Sequence, residues 1–484
     1  MYRNEMLVGA DWIDGAGEAI PVENPATGEI LGYVKGATAE ETERAVSAAK
    51  AAFPGWAALP PVRRAGFLHK AGDLIAADAD KIARIMTAEQ GKPLNEARGE
   101  VEKLAQTFHF YAEEATRIHG EIVPNESNAY QSLVVREPVG VVAAISPWNY
   151  PAELIGWKLA GALAAGCTIV IKPPELTPLS PLAIARCVKA AGLPDGVVNM
   201  VTGKGSEVGQ RLVENPLIDK VAFTGSGAVG LKIQQSCTNI KKLSLELGGN
   251  CPMIVTASAD IDAAVKGAAR RSFRNMGQIC IAINRIYVAE GLYEEFLGKL
   301  ARAAEALVID NGLDNPAADL GAMASAEPLA KTKAHLADAL AKGARLITGG
   351  SAPEGEKYAK GHFFRPTVVA DCTHEMQVMT EETFGPLVGV ASFRTLAEAV
   401  ERANDTPFGL ASYAYTKHMD EMRFLSTKLD YGNVAINNVD AGIINVAYGG
   451  RKQSGVGYEH GREGMLEYMN FKHVRLCFDT PEAA

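Results

Sequence analysis

Cys280 is the residue of this chain with the best surroundings for a nucleophile. It lies in the run Phe273-Arg-Asn-Met-Gly-Gln-Ile-Cys-Ile-Ala-Ile-Asn-Arg285, among small and amide-bearing residues that a buried packing cysteine does not need. A cysteine attacks a carbonyl carbon as its thiolate, which nearby backbone N–H groups favour, and a Gly-Gln turn that opens a helix would supply such groups. The chain has seven cysteines, however, and a free cysteine is commonly just a small buried hydrophobe. The surroundings of Cys280 alone therefore leave both interpretations open.

Two further residues could serve the same chemistry. Glu246 stands in Ser244-Leu-Glu-Leu-Gly-Gly249, where alternation places it opposite the flanking leucines and the glycines allow close backbone approach. Beside a thioester, a carboxylate of tuned pKa could activate water, although taken alone Glu246 could equally be a solvated strand residue. Asn149 lies between Trp148 and Tyr150 in a loop bracketed by prolines. Its amide could hold an oxyanion, or it could be an ordinary turn asparagine.

A glycine pattern precedes Glu246 in the sequence. Gly225-Ser-Gly-Ala-Val-Gly230 follows an apolar run and matches the dinucleotide pattern G-x-G-x-x-G, in which an acid about 20 residues further on grips the ribose. That assignment would make Glu246 a cofactor ligand. The usual fingerprint joins the first strand and helix of its fold, whereas this one follows at least three predicted strands. We therefore keep the glycines as a nucleotide site and do not assign Glu246 to it.

The elements that must position these residues alternate between strands and helices. Ala-rich segments with mixed charges predict helices, the first of them announced by the capping-box pattern Thr38-Ala-Glu-Glu41. Apolar runs predict buried strands at Val141–Ile145, Thr168–Ile171, Val197–Val201, Lys220–Phe223, Leu243–Leu247 and Pro252–Val255. A second series follows after about residue 248, at Arg285–Val288, Arg345–Ile347, Thr367–Val369 and Val388–Ala391. Strands that alternate with helices indicate parallel sheets covered on both faces, so we expect two α/β domains.

Two segments fit neither sheet. Glu121–Glu137 alternates around a polar turn, and the terminal Phe471–Phe478 also has the pattern of a strand. Long exposed strand edges favour aggregation unless they are paired, so a projecting hairpin with a C-terminal strand predicts pairing between subunits.

Composition bounds the class of protein. A chain of 484 residues, with 47% hydrophobic and 22% charged residues, is expected to fold into two or three domains. Its formal charge of −9, without a basic block, makes nucleic acid an unsuitable partner. Scattered cysteines without a Cys-x-x-Cys pair indicate reduced thiols and no metal site. The N-terminus lacks the apolar core of a signal peptide, and the longest apolar stretch, 159–171, is shorter than the ~20 residues that span a bilayer. We expect a cytoplasmic protein with no membrane segment.

Several stretches of the chain match motifs of one family, in that family's order. They are Pro147-Trp-Asn149, Lys172-Pro-Pro-Glu175, Phe223-Thr-Gly-Ser226, Glu246-Leu-Gly-Gly249, Gly277-Gln-Ile-Cys280, Glu382-Thr-Phe-Gly-Pro386 and Gly449-Gly-Arg-Lys-Gln-Ser-Gly455. Over essentially its whole length the chain resembles NAD(P)-dependent aldehyde dehydrogenases. The resemblance implies an aldehyde dehydrogenase-like α/β fold with an NAD-binding domain at 1–118 and 140–247, a catalytic domain at 248–445, and oligomerisation strands at 119–139 and 470–484 of a homodimer or homotetramer.

The resemblance also implies roles for the residues. Cys280 would attack the aldehyde, Asn149 and the Cys280 N–H would hold the oxyanion, hydride would pass to the nicotinamide, and Glu246 would activate water. The implied cofactor-binding residues are Trp148, Lys172, Glu175, Gly225, Ser226, Glu382 and Phe384. A carboxylate such as Glu175 accepts hydrogen bonds from ribose hydroxyls but repels a 2′-phosphate, so NAD is preferred and NADP less favoured, although some members with this glutamate use both.

The residues expected in the substrate pocket match the pattern of the semialdehyde dehydrogenases only in part. Arg274, six residues before the nucleophile, resembles an arginine of the succinate-semialdehyde dehydrogenases that would bind a distal carboxylate, for which its planar fork is suited. The chain departs from that pattern at Trp157, where an arginine is usual, and at Gly442, where a serine is usual. We expect a short acidic aldehyde, such as succinate semialdehyde or a sulfonate or phosphonate analogue.

Other substrates and classes stay open. Tyr150, Trp157 and Tyr448, with Glu153 and Asp440, resemble pockets for amino- or trimethylammonio-aldehydes, whose cations aromatic faces attract. The positive charge of Arg274 would repel a cationic substrate unless Glu153 neutralises it. A neutral aldehyde is a further alternative. A CoA-acylating dehydrogenase commonly lacks the glutamate at position 246, and a non-catalytic scaffold would be free to lose Cys280 or Asn149. Hydrolytic oxidation is therefore favoured.

Overall fold

A computed structural model of the protein describes residues 3–478. The strands, in chain order, are β1 Met6–Val8, β2 Asp11–Ile13, β3 Ala19–Glu23, β4 Ile30–Lys35, β5 Glu121–Val123, β6 Tyr130–Pro138, β7 Val141–Ile145, β8 Thr168–Lys172, β9 Val198–Met200, β10 Lys220–Thr224, β11 Lys242–Glu246, β12 Cys251–Val255, β13 Ile283–Ala289, β14 Arg345–Thr348, β15 Thr367–Ala370, β16 Leu387–Phe393, β17 Phe408–Gly409, β18 Ala411–Tyr415, β19 Asn433–Ile436, β20 Arg451–Lys452, β21 Gly455–Val456 and β22 Met469–Cys477. The α-helices are α1 Ala39–Ala57, α2 Pro61–Ala77, α3 Ala79–Gln90, α4 Leu94–Ala115, α5 Glu153–Ala165, α6 Leu179–Ala190, α7 Gln210–Glu214, α8 Gly227–Ser236, α9 Ile261–Phe273, α10 Tyr293–Glu305, α11 Ala326–Ala341, α12 Gln377–Thr380, α13 Leu396–Asn404, α14 Met419–Lys428 and α15 Gly461–Leu466.

The first sheet has the strand order β2-β1-β9-β8-β7-β10-β11-β21. Five central strands, β9, β8, β7, β10 and β11, are parallel to one another. The antiparallel strands β1 and β2 form one edge of the sheet, and the antiparallel strand β21 forms the other. Val142 and Ala144 of β7 pack into a core with helices α2 to α6, while Val141, Ala143 and Ile145 pack on the opposite face with α1, α7 and α8. Burial on both faces explains why this strand has a continuous apolar sequence instead of an alternating one.

The second sheet has the order β14-β15-β16-β13-β12-β18-β19, parallel except for the edge strand β14. Every residue of β12 and β13 is buried, in one core shared with helices α9 to α13. The prediction of two parallel-sheet α/β units is confirmed. The chain passes from the first sheet to the second between Glu246 and Cys251, and the predicted domain boundaries stay a prediction.

One short strand returns from the end of the chain to the first sheet. In β21, Val456 pairs with Leu245 and Gly455 with Glu246. The N–H of Leu247 donates to the carbonyl of Ser454 at 2.9 Å, which extends the same edge. The segment that follows the second sheet therefore covers the outer edge of the strand that carries Glu246.

A third, antiparallel sheet has the order β22-β6-β5. The hairpin predicted at 119–139 is present, and β22 pairs with β6 from Met469 opposite Pro138 to Cys477 opposite Tyr130. Ile122 and Phe471 of this sheet are 70% and 64% exposed. Residues 479–484 of the predicted terminal strand lie outside the described residues, and subunit pairing through this sheet stays a prediction.

Helix α1 begins as its sequence indicates. At α1, the hydroxyl of Thr38 accepts the Glu41 N–H at 3.2 Å and the Glu41 carboxylate accepts the Thr38 N–H at 2.8 Å, which is the predicted capping box. Within residues 3–478, no helix is both long and apolar enough to cross a membrane.

Candidate active site

The predicted site residues lie at the carboxyl edge of the first sheet. Asn149 follows β7, Lys172 ends β8, Gly225 follows β10 and Glu246 ends β11. Because parallel strands end at the same edge of a sheet, their carboxyl ends gather these residues although they are far apart in sequence. Cys280 faces them from the loop between α9 and β13. Asn149, Gly225 and Cys280 line one cavity of about 240 Å³.

The loop that carries Cys280 is not the start of a helix, so the expected helix N-terminus is wrong. After α9 the backbone of Asn275 and Met276 is left-handed, with φ of 48° and 57°, and β13 begins three residues after Cys280. Such backbone is strained by roughly 1–3 kcal/mol a residue and needs support. Asn275 supplies part of it, because its Nδ2 donates to the Asn149 carbonyl at 3.0 Å and its Oδ1 accepts from Gln90 Nε2 at 3.1 Å. Asn275, one of the two strained residues, thus links the loop of the thiol to Asn149.

The Cys280 thiol is partly buried, and its neighbours do not ionise it. Burial, with the charge of Glu246 among the smaller causes, raises its pKa to about 12, and the Tyr448 hydroxyl, 3.6 Å from Sγ, opposes that rise. Without cofactor and substrate the residue is therefore a thiol at neutral pH. A base must take its proton before it attacks a carbonyl carbon.

Asn149 is held from both ends. Its side-chain Nδ2 donates to the Gln278 carbonyl at 3.0 Å, and its main-chain carbonyl accepts from the Lys92 ammonium at 2.8 Å. Lys92 is paired with Glu100 at 2.5 Å, and both side chains are fully buried. The second oxygen of Glu100 accepts the first N–H groups of α5. Asn149 Nδ2 has a second hydrogen, which leaves a donor for an oxyanion.

Glu246 is a buried carboxyl, not a solvated strand residue. It is 4% exposed, and neither carboxyl oxygen has a hydrogen-bond partner among residues 3–478. Burial, and then the negative charge of Glu459, raise its pKa well above the ordinary value, while Lys158 opposes the shift. Lys158 itself pairs with Glu459 at 2.6 Å and donates to Thr224 at 2.6 Å. A buried carboxyl with a raised pKa is a candidate for proton transfer in a reaction.

A cavity of about 590 Å³ extends the site along β8 and β10 and fits a dinucleotide. Its wall includes Trp148, Lys172, Glu175, Gly225 and Ser226. A Cβ on Gly225 would lie 2.4 Å from the Phe223 ring, so only glycine lets the backbone follow this wall. Ser226 caps α8, and the first N–H groups of that helix are free to bind a pyrophosphate. The Glu175 carboxylate accepts the Gly205 N–H at 2.6 Å and lies 3.4 Å from the Lys172 ammonium.

Glu382 and Phe384 stand where this cavity continues toward Cys280. Glu382 accepts the Gly249 N–H at 2.9 Å, and burial raises its pKa to about 7. Phe384 has a φ of 57° and presents its ring edge-on to Trp148, with centroids 5.4 Å apart. All seven residues predicted for the cofactor thus line two neighbouring cavities.

A third, narrower cavity of about 80 Å³ lies on the other side of Cys280. The four residues predicted for the substrate line it: Arg274, Tyr150, Trp157 and Tyr448. Trp157 packs edge-on against His460 with centroids 4.0 Å apart. A Cβ on Gly442 would lie 3.2 Å from the Tyr448 ring, so a serine there would press on Tyr448. At position 157 the chain thus has an aromatic ring where an arginine was expected, and at Gly442 the Tyr448 ring packs close to where a serine side chain would lie.

Arg274 is paired, but not with Glu153. Its Nε donates to Glu96 at 2.9 Å, and the same oxygen accepts the Tyr150 hydroxyl at 2.8 Å. Within the described chain, the two terminal guanidinium nitrogens have no acceptor. The positive fork of Arg274 is thus available in the cavity that ends at Cys280.

Sequence reasoning missed the supporting charges. Glu96, Glu100 and Lys103 are spaced four and three residues apart in one predicted helix, which already indicates a shared face. Lys158 stands alone in an apolar helix, and an isolated lysine there signals a buried charge that needs a partner. The partners themselves, such as Glu459, lie too far along the chain to be assigned from spacing.

Comparison with known proteins identifies similar chains. The sequence profile of the aldehyde dehydrogenase family matches residues 12–474. The chain is 44% identical to the succinate-semialdehyde dehydrogenase [NADP(+)] of Escherichia coli (strain K12) and 43% identical to the glutarate-semialdehyde dehydrogenase of Pseudomonas aeruginosa, in each case over 98% of both chains. A crystal structure of an aldehyde dehydrogenase from Brucella melitensis biovar abortus 2308 superimposes with a TM-score of 0.96, at 44% identity, over 99% of this chain and 98% of that one.

Proposed function

Because this chain belongs to the aldehyde dehydrogenase family, we propose that it oxidises a short acidic aldehyde to the carboxylic acid, with NAD as cofactor. The observation that carries the proposal is the free fork of Arg274 in the cavity that ends at Cys280. The names of two similar enzymes, succinate- and glutarate-semialdehyde dehydrogenase, support an aldehyde with a distal carboxylate.

The reaction begins with the thiol. Cys280 gives up its proton to water, and the thiolate attacks the carbonyl carbon. The Asn149 amide and the Cys280 N–H stabilise the oxyanion that forms. NAD, when bound, would supply the hydride acceptor that this oxidation needs, and the product on Cys280 would be a thioester. The residues that would hold NAD are Trp148, Lys172, Glu175, Gly225, Ser226, Glu382 and Phe384.

Hydrolysis completes the cycle. Glu246 takes a proton from water, the resulting hydroxide attacks the thioester carbon, and the C–S bond breaks to release the acid and regenerate Cys280. Glu246 suits this step because its oxygens have no protein partner in the described chain and are free to bind water. Its presence favours water over CoA as the acceptor of the acyl group.

The preference for NAD rests on Glu175. Its carboxylate lines the adenosine end of the larger cavity and would repel a 2′-phosphate, whereas ribose hydroxyls can donate to it. The similar Escherichia coli enzyme is named for NADP(+), and Lys172 beside Glu175 offers a cation that would make use of NADP possible. A higher kcat/KM with NADP than with NAD would contradict this part of the proposal.

An amino-aldehyde is the second candidate substrate, because the carboxyl of Glu153 lines the pocket without a hydrogen-bond partner among residues 3–478. Asp440 is less suited to bind a cation, since Arg270 and Arg271 already hold it at 2.8 and 3.1 Å.

We also propose that the third sheet joins subunits into a homodimer or homotetramer. Light scattering behind size exclusion tests that assembly, and a monomer would contradict it.

The test of the activity is direct. The protein is mixed with NAD and succinate semialdehyde, 4-aminobutanal or butanal, with and without CoA, and NADH is followed by absorbance, with Cys280→Ser as the control. We expect NADH without CoA, fastest with succinate semialdehyde and absent in the variant. NADH only with CoA, or none with any aldehyde, would contradict the proposal, and preference for 4-aminobutanal would favour the second candidate.

A further inference from the structure

One face of helix α4 carries charged residues that converge on the site. Glu96 holds Arg274, and Glu100, four residues later, holds Lys92 and the start of α5. Lys103, three residues after Glu100, continues the same face, because positions four and three apart stack along a helix. Lys103 lines the pocket that ends at Cys280.

The position of Lys103 is consistent with its effects on its neighbours. Its ammonium influences the pKa of Glu153 and His460, behind the larger effect of burial, and that of Asp440, behind the larger effect of Arg270. All three groups are on the wall of this pocket. In the described part of the chain, no carboxylate lies within ion-pair distance of Lys103 and no acceptor within hydrogen-bond distance.

The other charges of the wall are already engaged. Arg271 and Asp440 pair with each other at 3.1 Å, and Arg274 uses its Nε on Glu96. The exception is Glu153, whose carboxyl has no hydrogen-bond partner among the described residues; burial raises its pKa, which lowers the negative charge that would repel an anion. Among residues 3–478, the cations of the wall with unpaired donors are Lys103, Arg274 through its terminal nitrogens, and Arg271 through its Nε, and only the charge of Arg271 is offset by a paired carboxylate of the wall, Asp440.

We propose that Lys103 and Arg274 together bind the distal anionic group of the substrate. Lys103 then supplies from α4 the second cation that is absent from α5, where Trp157 stands. This inference rests on the proposed function, because it assumes an acidic aldehyde. An ammonium is a point charge without the planar geometry of a guanidinium, so the pair accepts a tetrahedral sulfonate as well as a planar carboxylate.

The experiment compares a charged and a neutral aldehyde. For each protein, kcat and KM are measured with succinate semialdehyde, 3-sulfopropanal and butanal, and the ratio of kcat/KM for each acidic aldehyde to that for butanal is taken. Lys103→Met is compared with Lys103→Arg and Arg274→Met. Lys70→Met is the matched control, because Lys70 is exposed on α2 and is not on the walls of the three cavities described above.

We expect Lys103→Met to lower both ratios about 2- to 5-fold, chiefly through KM for the acidic aldehydes, because the lost charge contact is exposed and partly screened by solvent. Lys103→Arg restores most of the ratio, and Lys70→Met leaves it unchanged. If Arg274→Met lowers the ratios and Lys103→Met does not, the assignment of Lys103 is wrong while the proposed function stands. If the wild-type protein shows no preference for acidic aldehydes, the proposed function is wrong and this inference falls with it.

Discussion

The Nε of Arg274 donates to Oε1 of Glu96 over 2.9 Å, and that contact joins α4 to the loop that precedes Cys280. The Glu96 side chain is 7% exposed and also accepts the Tyr150 hydroxyl. Glu96 therefore orients both the cation and one aromatic ring of the pocket, at a separation of 178 residues from Arg274.

Replacement of Glu96 should loosen this pair. In Glu96→Ala the Arg274 and Tyr150 donors lose a partly buried acceptor, and we expect KM for succinate semialdehyde to rise about 10-fold, since such a contact contributes about 1–3 kcal/mol. Glu96→Gln keeps an acceptor oxygen and should have a smaller effect. Steady-state kinetics of the two variants provide the measurement; equal KM values for both variants and the wild type would show that Glu96 does not position Arg274.

The thiol of Cys280 should alkylate slowly at neutral pH in the protein without cofactor. Burial raises its pKa to about 12, so the thiolate fraction is small at pH 7 and grows tenfold with each pH unit. We expect the rate of iodoacetamide modification, followed on the Cys280 peptide by mass spectrometry, to rise steadily from pH 7 to 10. The same readout on the peptide of the exposed Cys477 provides an internal comparison, and a plateau for Cys280 below pH 9 would contradict the expectation.

Glu246→Gln should separate the two halves of the reaction. The amide keeps the shape of the side chain but cannot take a proton from water, so the thioester should accumulate. We expect a rapid burst of about one NADH per active site, followed by turnover about 10²- to 10⁴-fold slower than in the wild type. Stopped-flow absorbance measures both phases. Loss of the burst together with turnover would instead assign Glu246 mainly to activation of the thiol.

The raised pKa of Glu246 also predicts whether the rate of thioester hydrolysis rises or falls with pH. A general base acts in its ionised form, and a raised pKa moves ionisation toward neutral pH. Hydrolysis of the thioester by the wild-type enzyme should therefore increase with pH across the neutral range. Single-turnover release of the acid, measured at several pH values, tests this, and a rate that falls as pH rises would be inconsistent with the assignment.

Glu175→Ser should shift the cofactor preference. Removal of the carboxylate removes its repulsion of a 2′-phosphate, while Lys172, 3.4 Å away, stays in place to attract one. We expect the ratio of kcat/KM for NADP to that for NAD to rise about 10-fold. Glu175→Gln serves as the control for shape, and should shift the ratio in the same direction because it also removes the charge.

Local signals were enough for much of the fold. Continuous apolar runs such as Val141–Ile145 predicted strands buried on both faces, and Thr38 with Glu41 predicted the start of a helix; the structure has both. These features depend on residues a few positions apart, whose periodicity and hydrogen bonding are visible in a sequence.

Long-range contacts were not accessible in the same way. The partner of Arg274 was sought at Glu153 but is Glu96. Cys280 lies in a loop and not at the expected helix start, and the left-handed Asn275 before it accepts a hydrogen bond from Gln90. Whether Glu246 is solvated or buried depends on the segment that covers its strand. That segment, β21, is more than 200 residues further along the chain, so its position could not be predicted from local sequence. Spacing indicates which residues share a face, but tertiary packing decides what that face meets.

The pairing of β21 with β11 also bears on the order in which the enzyme matures on the ribosome. The strand that carries Glu246 receives its outer neighbour only when residues 455 and 456 have been made, about 20 to 90 seconds after synthesis starts at roughly 5–20 residues per second. Until then β11 presents an unpaired edge that another nascent chain could join. A chain that ends before residue 455 would contain Cys280 but lack the strand β21 that pairs beside Glu246. Such fragments would be inactive and prone to aggregate.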